Sequence, residues 1–441
     1  LSVAAYDLLV IGGGINGTAI AREASLHDLS VLLVERDDLA SHTSSASTKL
    51  IHGGLRYLEY YEFGLVREAL QERERLLGLA PHLIRPMHFV LPHEHSVRPW
   101  WLVRLGLLLY DTIGGRTKLP HARGLRKTDT NYLAPLKRPG RGFVYSDAWV
   151  DDARLVVANA VDARDHGAEI ATRTTLLSAR REGDLWRAQL SDGRTVAAKR
   201  LVNAAGPWVA ETLGLTGVNA KAGVRLVKGS HIVVPKLFEG DHAYMLQQPD
   251  KRIVFAIAYE GDFTLVGTTD IPVANPEDAK ISADEIDYLC GAANRYFMRQ
   301  IAPDDVVHTY SGVRPLYDDG ASEAKAVTRE YVLELDTHGP PLLSVFGGKI
   351  TTARHLAEKA MAKLGFDTPV SRDALFPFEP VPTGGEDFGG NLTSGAIDHY
   401  RSREWARTAD DVLWRRTKAG LHMTPEQRAR VGAYLEGGHG V

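Results

Sequence analysis

Residues 6–36 read YDLLVIGGGINGTAIAREASLHDLSVLLVER, and this stretch decides the fold. Leu8, Leu9, Val10 and Ile11 form a short apolar run, as a buried parallel strand requires. Gly12, Gly14 and Gly17 follow with G-x-G-x-x-G spacing. Ala19, Ile20 and Ala24 then fall at the apolar positions of a helix. Val31 to Val34 predict a second strand, which Glu35 ends. In such a βαβ unit Gly12 permits the tight turn, Gly14 lets backbone approach a pyrophosphate, and Gly17 lets helix and strand pack closely. The helix N-terminus offers N–H groups and a positive dipole end to phosphate. Glu35 can accept both hydroxyls of a ribose and would repel a 2′-phosphate. With strands, helix and acid all in register, the motif predicts an adenine dinucleotide rather than an ordinary turn.

The rest of the chain is consistent with a soluble globular protein of more than one domain. Its 441 residues suit two or three domains. It is 44% hydrophobic and 24% charged, and a net charge of −3 gives no reason to expect nucleic acid. Cys290 is the single cysteine, which excludes disulfide frameworks, Cys-rich zinc sites and Cys-pair relays. No metal site is expected. No run approaches the ~20 apolar residues of a membrane-spanning helix. The chain enters its first strand almost at once, so no signal peptide is expected.

After Glu35, residues 41–57 combine small hydroxyl side chains, two glycines and basic residues (Ser41-His42-Thr43-Ser44-Ser45-Ala46-Ser47-Thr48-Lys49-Leu50-Ile51-His52-Gly53-Gly54-Leu55-Arg56-Tyr57). Such a composition suits a loop wrapping a phosphate-bearing cofactor. Together with residues 6–36 and several later motifs in order, this segment resembles the FAD-dependent (aerobic, respiratory) glycerol-3-phosphate dehydrogenases, within the flavoprotein superfamily that includes D-amino-acid oxidase. The resemblance runs from about residue 6 to 364 and resumes near Glu404.

The later segments fill in a mixed α/β fold. Residues 62–79 predict an amphipathic helix with Phe63, Val66, Leu70 and Leu77 on one face. Residues 98–113 hold Trp100, Trp101 and a dense run of leucines between Arg98, Arg104 and Arg116. A buried helix is the favoured reading there, and an interfacial membrane segment the second. Around Tyr145 to Leu155 the aspartates suit helix caps better than catalysis. Residues 168–198 alternate short strands about an Asp192-Gly193 turn. Leu201 to Trp208 and Ser344 to Thr352 each run from a strand into a small-residue turn. Strands are expected over 227–234, 252–258, 264–269, 306–313 and 326–335, and a helix over 283–298. The resemblance implies a Rossmann-like FAD-binding domain (1–80, 140–220 and 336–370), an inserted antiparallel-sheet substrate domain (81–139 and 221–335) and a helical C-terminal domain (371–441). Residues 381–390 join pieces that are usually distant in that family, so either this last domain is short or residues between those pieces are missing from the numbering.

The choice of flavin over nicotinamide rests on distant segments near Ser44, Gly206 and Gly348 closing one site, which suits a long, permanently held cofactor. A single fingerprint leaves no second domain for NADPH. The residues expected to hold FAD are Gly12, Gly13, Gly14, Ile15, Asn16 and Gly17; Glu35 and Arg36; Thr43, Ser44, Ser45, Ser47, Thr48, Lys49, His52, Gly53, Gly54 and Leu55; Ala205, Gly206 and Trp208; Arg314; and Gly347, Gly348, Lys349, Ile350 and Thr351. By family resemblance Arg56, Tyr57, His231, Thr268, Arg314, Arg329 and Lys349 surround sn-glycerol 3-phosphate, arginine suiting phosphate by its bidentate fork. His52 and His231 both qualify as the base, with Arg314 beside them, because imidazole titrates near working pH. The reaction implied is hydride transfer from C2 to flavin N5, giving dihydroxyacetone phosphate. The resemblance also implies a respiratory quinone as acceptor and peripheral contact with the cytoplasmic side of the cell membrane, with residues 100–110 and the helix 355–364 (Lys359, Lys363) as contact surfaces. An oxidase using O₂, an amino-acid or hydroxy-acid oxidoreductase and a non-catalytic flavin scaffold stay open, as do homodimerisation and a covalent flavin link at His42.

Overall fold

The computed structural model describes residues 5–96, 98–218, 223–318 and 331–437. The chain divides into two compact units. The first comprises residues 1–45, 152–225 and 314–441. Its centre is a six-stranded sheet in the order Val332–Asp336, Leu342–Phe346, Leu201–Asn203, Leu8–Ile11, Val31–Val34, Glu169–Ala171. All neighbours are parallel except the first pair. Leu9 lies opposite Leu201, and Leu201 opposite Leu342. This register brings Gly12, Ala204 and Gly347, the residues after three strands, to one carboxyl edge, where open α/β sheets bind ligands.

Leu8, Leu9 and Val10 are wholly buried, as strands covered on both faces require. Helices Ile15–Leu26, Asp152–Asp165 and Ala353–Lys363 pack together on the sheet. A four-stranded sheet (Ala5–Tyr6, Thr195–Ala198, Leu185–Leu190, Leu176–Glu182) adds Trp186 to the core beside Leu9, Leu201 and Phe346. Its predicted turn is present: the Leu190 N–H donates to Arg194 O at 2.9 Å and Gly193 has φ +87°. The C-terminal residues form the helices Ser394–Arg403 and Pro425–Glu436 around a separate cluster that includes Phe388, Ile397, Val412 and Val431.

The second unit comprises residues 46–151 and 226–313. A mixed, mainly antiparallel sheet runs Ile271–Pro272, Gly223–Pro235, Phe263–Gly267, Ile253–Tyr259, Ala243–Gln247, Ile84–Pro92, Gly142–Val150, Leu50–Ile51. Helix Ala283–Asn294 covers one face, packing Leu289, Cys290 and Ala293 against Ile232, Val254 and Val266. Burial pushes the Cys290 thiol up to about 11, so the lone cysteine is packing material rather than a nucleophile.

Several boundaries differ from those expected. Residues 46–80 and 140–151 belong to the second unit, because Leu50–Ile51 and Gly142–Val150 are strands of its sheet. Residues 314–335 and 371–441 fall with the first. The helix expected over 62–79 spans Phe63–Leu79, but it buries Val66, Leu70 and Leu76, leaving Phe63 exposed and Leu77 half-buried. The strand expected over 326–335 is described only from Tyr331, as Val332–Asp336.

Helix Trp100–Ile113 overturns the favoured expectation. Only Leu107 and Tyr110 are buried. Trp101 is 64% exposed, Leu105 54% and Leu108 52%. Tyr60, Tyr61 and Phe63, on the adjoining Leu55–Tyr60 turn and Phe63–Leu79 helix, are exposed as well. Exposed apolar surface in such density marks an interaction site rather than a monomer's outer face. By contrast, helix Ala353–Lys363 buries Leu356, Ala357, Ala360 and Met361 within its own unit, so it has no apolar face to offer a membrane. Among the described residues no helix is long and apolar enough to cross one.

A dinucleotide cleft and a clamped histidine

The carboxyl edge of the first unit's sheet opens into a cleft of about 1070 Å³, open solvent included. Its floor is Ile11, Gly12, Gly14, Ile15 and Asn16, and its walls are residues 34–36, 40–44, 174–176, 204–208, Gly347 and Gly348. Helix Ile15–Leu26 begins here with Gly14 as N-cap and no side-chain cap. The Ile15 N–H donates to Ser44 Oγ at 2.9 Å, which ties the Thr43–Ser45 turn to the helix start. Asn16 Nδ2 donates to Gly347 O at 3.0 Å, so the two glycine turns share a side chain. Its Oδ1 is buried without a hydrogen-bond partner among the described residues. A helix N-terminus whose N-cap is a glycine, a close-approach glycine and an orphaned amide oxygen together fit a pyrophosphate-bearing ligand.

Glu35 closes one side of the cleft. Its Oε2 accepts from the Gly13 N–H at 2.6 Å and its Oε1 from the Asp37 N–H at 2.8 Å. Burial pushes the carboxyl up in spite of these donors. Both oxygens keep second lone pairs for ribose hydroxyls. The Arg36 guanidinium lies 4.0 Å over the Trp208 ring, and His42 packs on the same indole at 4.7 Å. His42 Nε2 is 2.8 Å from Asp37 Oδ2. His42 therefore belongs to the wall beside Glu35, which gives no support to a covalent flavin link there. Glu35, Asp37 and His42 could geometrically gather around a cation. Glu35's bonds to Gly13 and Asp37 suit a nucleotide wall better.

In the second unit, His231 is 2% exposed. Its Nε2 lies 3.0 Å from Thr48 Oγ1, and its ring stacks on Tyr310 at 4.8 Å and 23°. Tyr310 O–H donates to Ser47 O at 2.9 Å. The buried Lys49 ammonium sits 5.0 Å from the Tyr310 ring, a cation–π pair. Beside His231, Ser230 Oγ, Thr269 Oγ1 and Lys228 Nζ all reach the Glu285 carboxylate at 2.7–2.8 Å. Burial alone would raise Glu285, but these donors and the Ser282 N–H hold it at about 2.

The glycine loop is fixed separately. The Gly53 N–H donates to Tyr110 Oη at 2.8 Å, and Tyr110 O–H donates to Asp147 at 2.8 Å. Arg73 Nη1 reaches the same carboxylate at 2.7 Å. Asp147 is thus a buried structural acid, neither cap nor catalyst. Of the expected caps, Asp152 does open a helix.

The structure brings the expected residues together in two groups. Gly12 to Gly17, Glu35, Arg36, Thr43, Ser44, Ser45, Ala205, Gly206, Trp208, Gly347 and Gly348 gather at or beside the cleft. Lys349, Ile350 and Thr351 follow directly, and Arg314 is exposed on strand His308–Asp318. Ser47, Thr48, Lys49, His52, Gly53, Gly54, Leu55, Arg56, Tyr57, His231 and Thr268 belong to the second unit. Half-buried Arg56 has Tyr60 Oη at 3.4 Å, and Thr268 Oγ1 donates to Thr269 O at 3.1 Å. Arg329 lies outside the described residues. Sequence reasoning missed Glu285, although the Ser282-to-Glu285 capping box is legible, and missed Thr174, Thr175 and Leu176 in the cleft wall.

The cleft, with its glycine-capped helix N-terminus and ribose-side acid, defines a dinucleotide-binding protein. The family model for FAD-dependent oxidoreductases (DAO) matches residues 7–354, and the chain belongs to that family. Its cofactor is FAD, and the chain is an enzyme. Over 98% of its length it is 47% identical to a glycerol-3-phosphate dehydrogenase of Pseudomonas aeruginosa, covering 96% of that protein. It is 48% identical over 96% of its length to a D-erythritol 1-phosphate dehydrogenase of Brucella abortus, covering 96% of it. The first alignment runs over 492 residues against the 441 here, so that relative carries residues with no counterpart in this chain. The fold matches a Bacillus halodurans glycerol-3-phosphate dehydrogenase complexed with FAD at a TM-score of 0.69 and 23% identity, covering 98% of this chain and 94% of that one.

The acidic side of the stability profile follows from the buried carboxylates. Glu285, Glu404 and Asp411 are each held at about 2, since arginine, lysine and N–H partners outweigh burial. Folded values below the unfolded ones mean stability that is complete above roughly pH 4.5 and lost as pH falls toward 2. The melting temperature should therefore drop steeply between pH 4.5 and 2.5, and a flat profile across that window would contradict these ion pairs.

Proposed function

We propose that the chain oxidises sn-glycerol 3-phosphate to dihydroxyacetone phosphate. The near-full-length identity to relatives named for that substrate carries the reading, and an imidazole of the second unit, His52 or His231, supplies its chemistry. His52 or His231 accepts the proton of the C2 hydroxyl. Arg56, Arg314 and Arg329 bind the phosphate, with Tyr57, Thr268 and Lys349 on the remaining oxygens. FAD held between the glycine turns at residues 12–17 and 347–348 would supply the two-electron acceptor for the C2 hydride. A second reading, a four-carbon polyol phosphate, has the 48% identity to the erythritol-phosphate enzyme in its favour. Anaerobic mixing tests both: bleaching of the flavin absorption by glycerol 3-phosphate at lower concentration than by D-erythritol 1-phosphate supports the first, and the reverse order the second. Bleaching by neither, or only by amino or hydroxy acids, refutes both.

Electrons then pass to a quinone at the cytoplasmic face of the cell membrane. The exposed face of helix Trp100–Ile113 is the membrane contact, its leucines and tryptophans entering the headgroup boundary with Arg98, Arg104 and Arg116 alongside. A triple substitution Trp101→Glu, Leu105→Glu, Leu108→Glu should abolish sedimentation with phospholipid vesicles while leaving flavin content unchanged. Retained sedimentation would place the contact elsewhere.

A further inference from the structure

The C-terminal segment carries two consecutive arginines on one wide π-helical turn, Asp411–Arg416. Both reach a residue some 377 positions earlier in sequence. Arg416 engages Asp38 through two bonds of 2.7 Å, and Arg415 Nε adds a third at 2.7 Å. The Arg416 and Asp38 side chains are 0% and 1% exposed. Asp38 lies between Glu35-Arg36 and Ala40-Ser41-His42, which form the cleft wall on either side of it. Its carbonyl takes the Ser41 Oγ bond at 2.7 Å, and the Ala40 N–H donates to Gly13 O at 3.1 Å.

Two lines of alternating charge lead away from Asp38. One passes through Arg415 to Asp411, which Arg173 also engages. The Arg173 N–H in turn donates to Asp37 O at 2.9 Å, closing a ring back onto the same loop. The other passes through Arg416 to Glu404, which Arg154 also engages. A carboxylate with three charge-assisted bonds from one buried and one half-buried arginine has no freedom to move, and the loop carrying it inherits that rigidity.

We propose that Asp38, Arg415 and Arg416 are positioning residues for the adenosine half of FAD: the C-terminal segment locks the loop 36–42 in the shape that receives the ribose and adenine. The lock acts on the nucleotide end and leaves the isoalloxazine end alone. This inference rests on FAD binding and is independent of which polyol phosphate is oxidised.

The test uses Asp38→Asn, Arg415→Gln and Arg415→Lys in the full chain. FAD release from diluted holoenzyme is followed by the rise of flavin fluorescence, and ADP affinity of the flavin-stripped protein by calorimetry. ADP carries the adenosine and pyrophosphate but no flavin. Asp38→Asn and Arg415→Gln should weaken ADP and FAD by a common factor of tenfold or more, and Arg415→Lys, which keeps the charge but loses the fork, by an intermediate factor. A purely structural role would lower the melting temperature and leave the ADP affinity of the folded protein unmoved. ADP and FAD affinities within twofold of the parent would overturn the proposal. Should Asp38→Asn not fold, the two Arg415 variants decide alone, since that side chain is 15% exposed and better able to tolerate change.

Discussion

Alanine at Gly17 is expected to give protein that purifies without flavin. A Cβ built there lies 1.9 Å from Gly12 O and 3.0 Å from Gly12 C. Both are backbone atoms of the cofactor turn, so no rotamer change relieves the clash. Either the helix Ile15–Leu26 moves outward or the turn at Gly12 opens. The turn is itself constrained, because Gly12 has φ +111° and its own Cβ direction points at Ala204 O, 2.5 Å away. Displacing the helix carries its N-terminal N–H groups away from the pyrophosphate and stretches the Ile15-to-Ser44 and Asn16-to-Gly347 bonds that join the cleft walls. Overpacking costs about 1–3 kcal/mol by itself. Loss of the phosphate geometry adds to it, so FAD affinity should fall by at least about a hundredfold. Gly12→Ala should do the same through Ala204. Flavin content per chain after purification, with circular dichroism to confirm folding, measures the effect. A Gly17→Ala protein that retains stoichiometric FAD would mean that the turn is softer than its contacts indicate.

How much of this was legible beforehand varies with the physics of each element. Leu8 to Val10 and Val31 to Val34 announce themselves because strands buried on both faces must be uniformly apolar. The glycine turns at residues 12–17 and 347–348 are legible for a similar reason, since few residue types satisfy their geometry. Strand Ile84–Pro92 escaped because Arg85, Pro86 and His88 interrupt its pattern, and its pairing with Gly142–Val150 is a long-range choice. Helix Trp100–Ile113 was misjudged because it is apolar on most sides. Composition says that such a helix avoids water, and it cannot say whether protein or lipid does the covering. The Asp38 lock was illegible outright: one aspartate and two arginines are unremarkable until the fold brings them together. The family resemblance resumed at Glu404, so the right region was marked without its purpose.

Replacing His231 by glutamine should slow anaerobic flavin reduction by substrate 10²–10⁴-fold, the range that a positioned general base supplies. The same substitution at His52 should cost less. This expectation rests on how firmly the His231 ring is held. His231 is sandwiched, with Tyr310 stacked on it, Thr48 Oγ1 at Nε2 and the Gly267 backbone so near that a Cβ there would lie 2.1 Å from its Cδ2. Thr48 can donate to or accept from the imidazole, which lets the pair take up a substrate proton without reorienting the ring. His52 is half-buried, its ring edge-on to Phe255 at 6.3 Å. The pH profile separates base from bystander. With a histidine base, reduction in the parent rises with pH through the imidazole range, because only the neutral ring accepts a proton. His231→Gln should lose that inflection along with the rate, whereas His52→Gln should keep it. An unchanged inflection in His231→Gln, together with its loss in His52→Gln, would move the base to the glycine loop. Persistence of the inflection in both would end the case for a histidine base while leaving the FAD cleft intact.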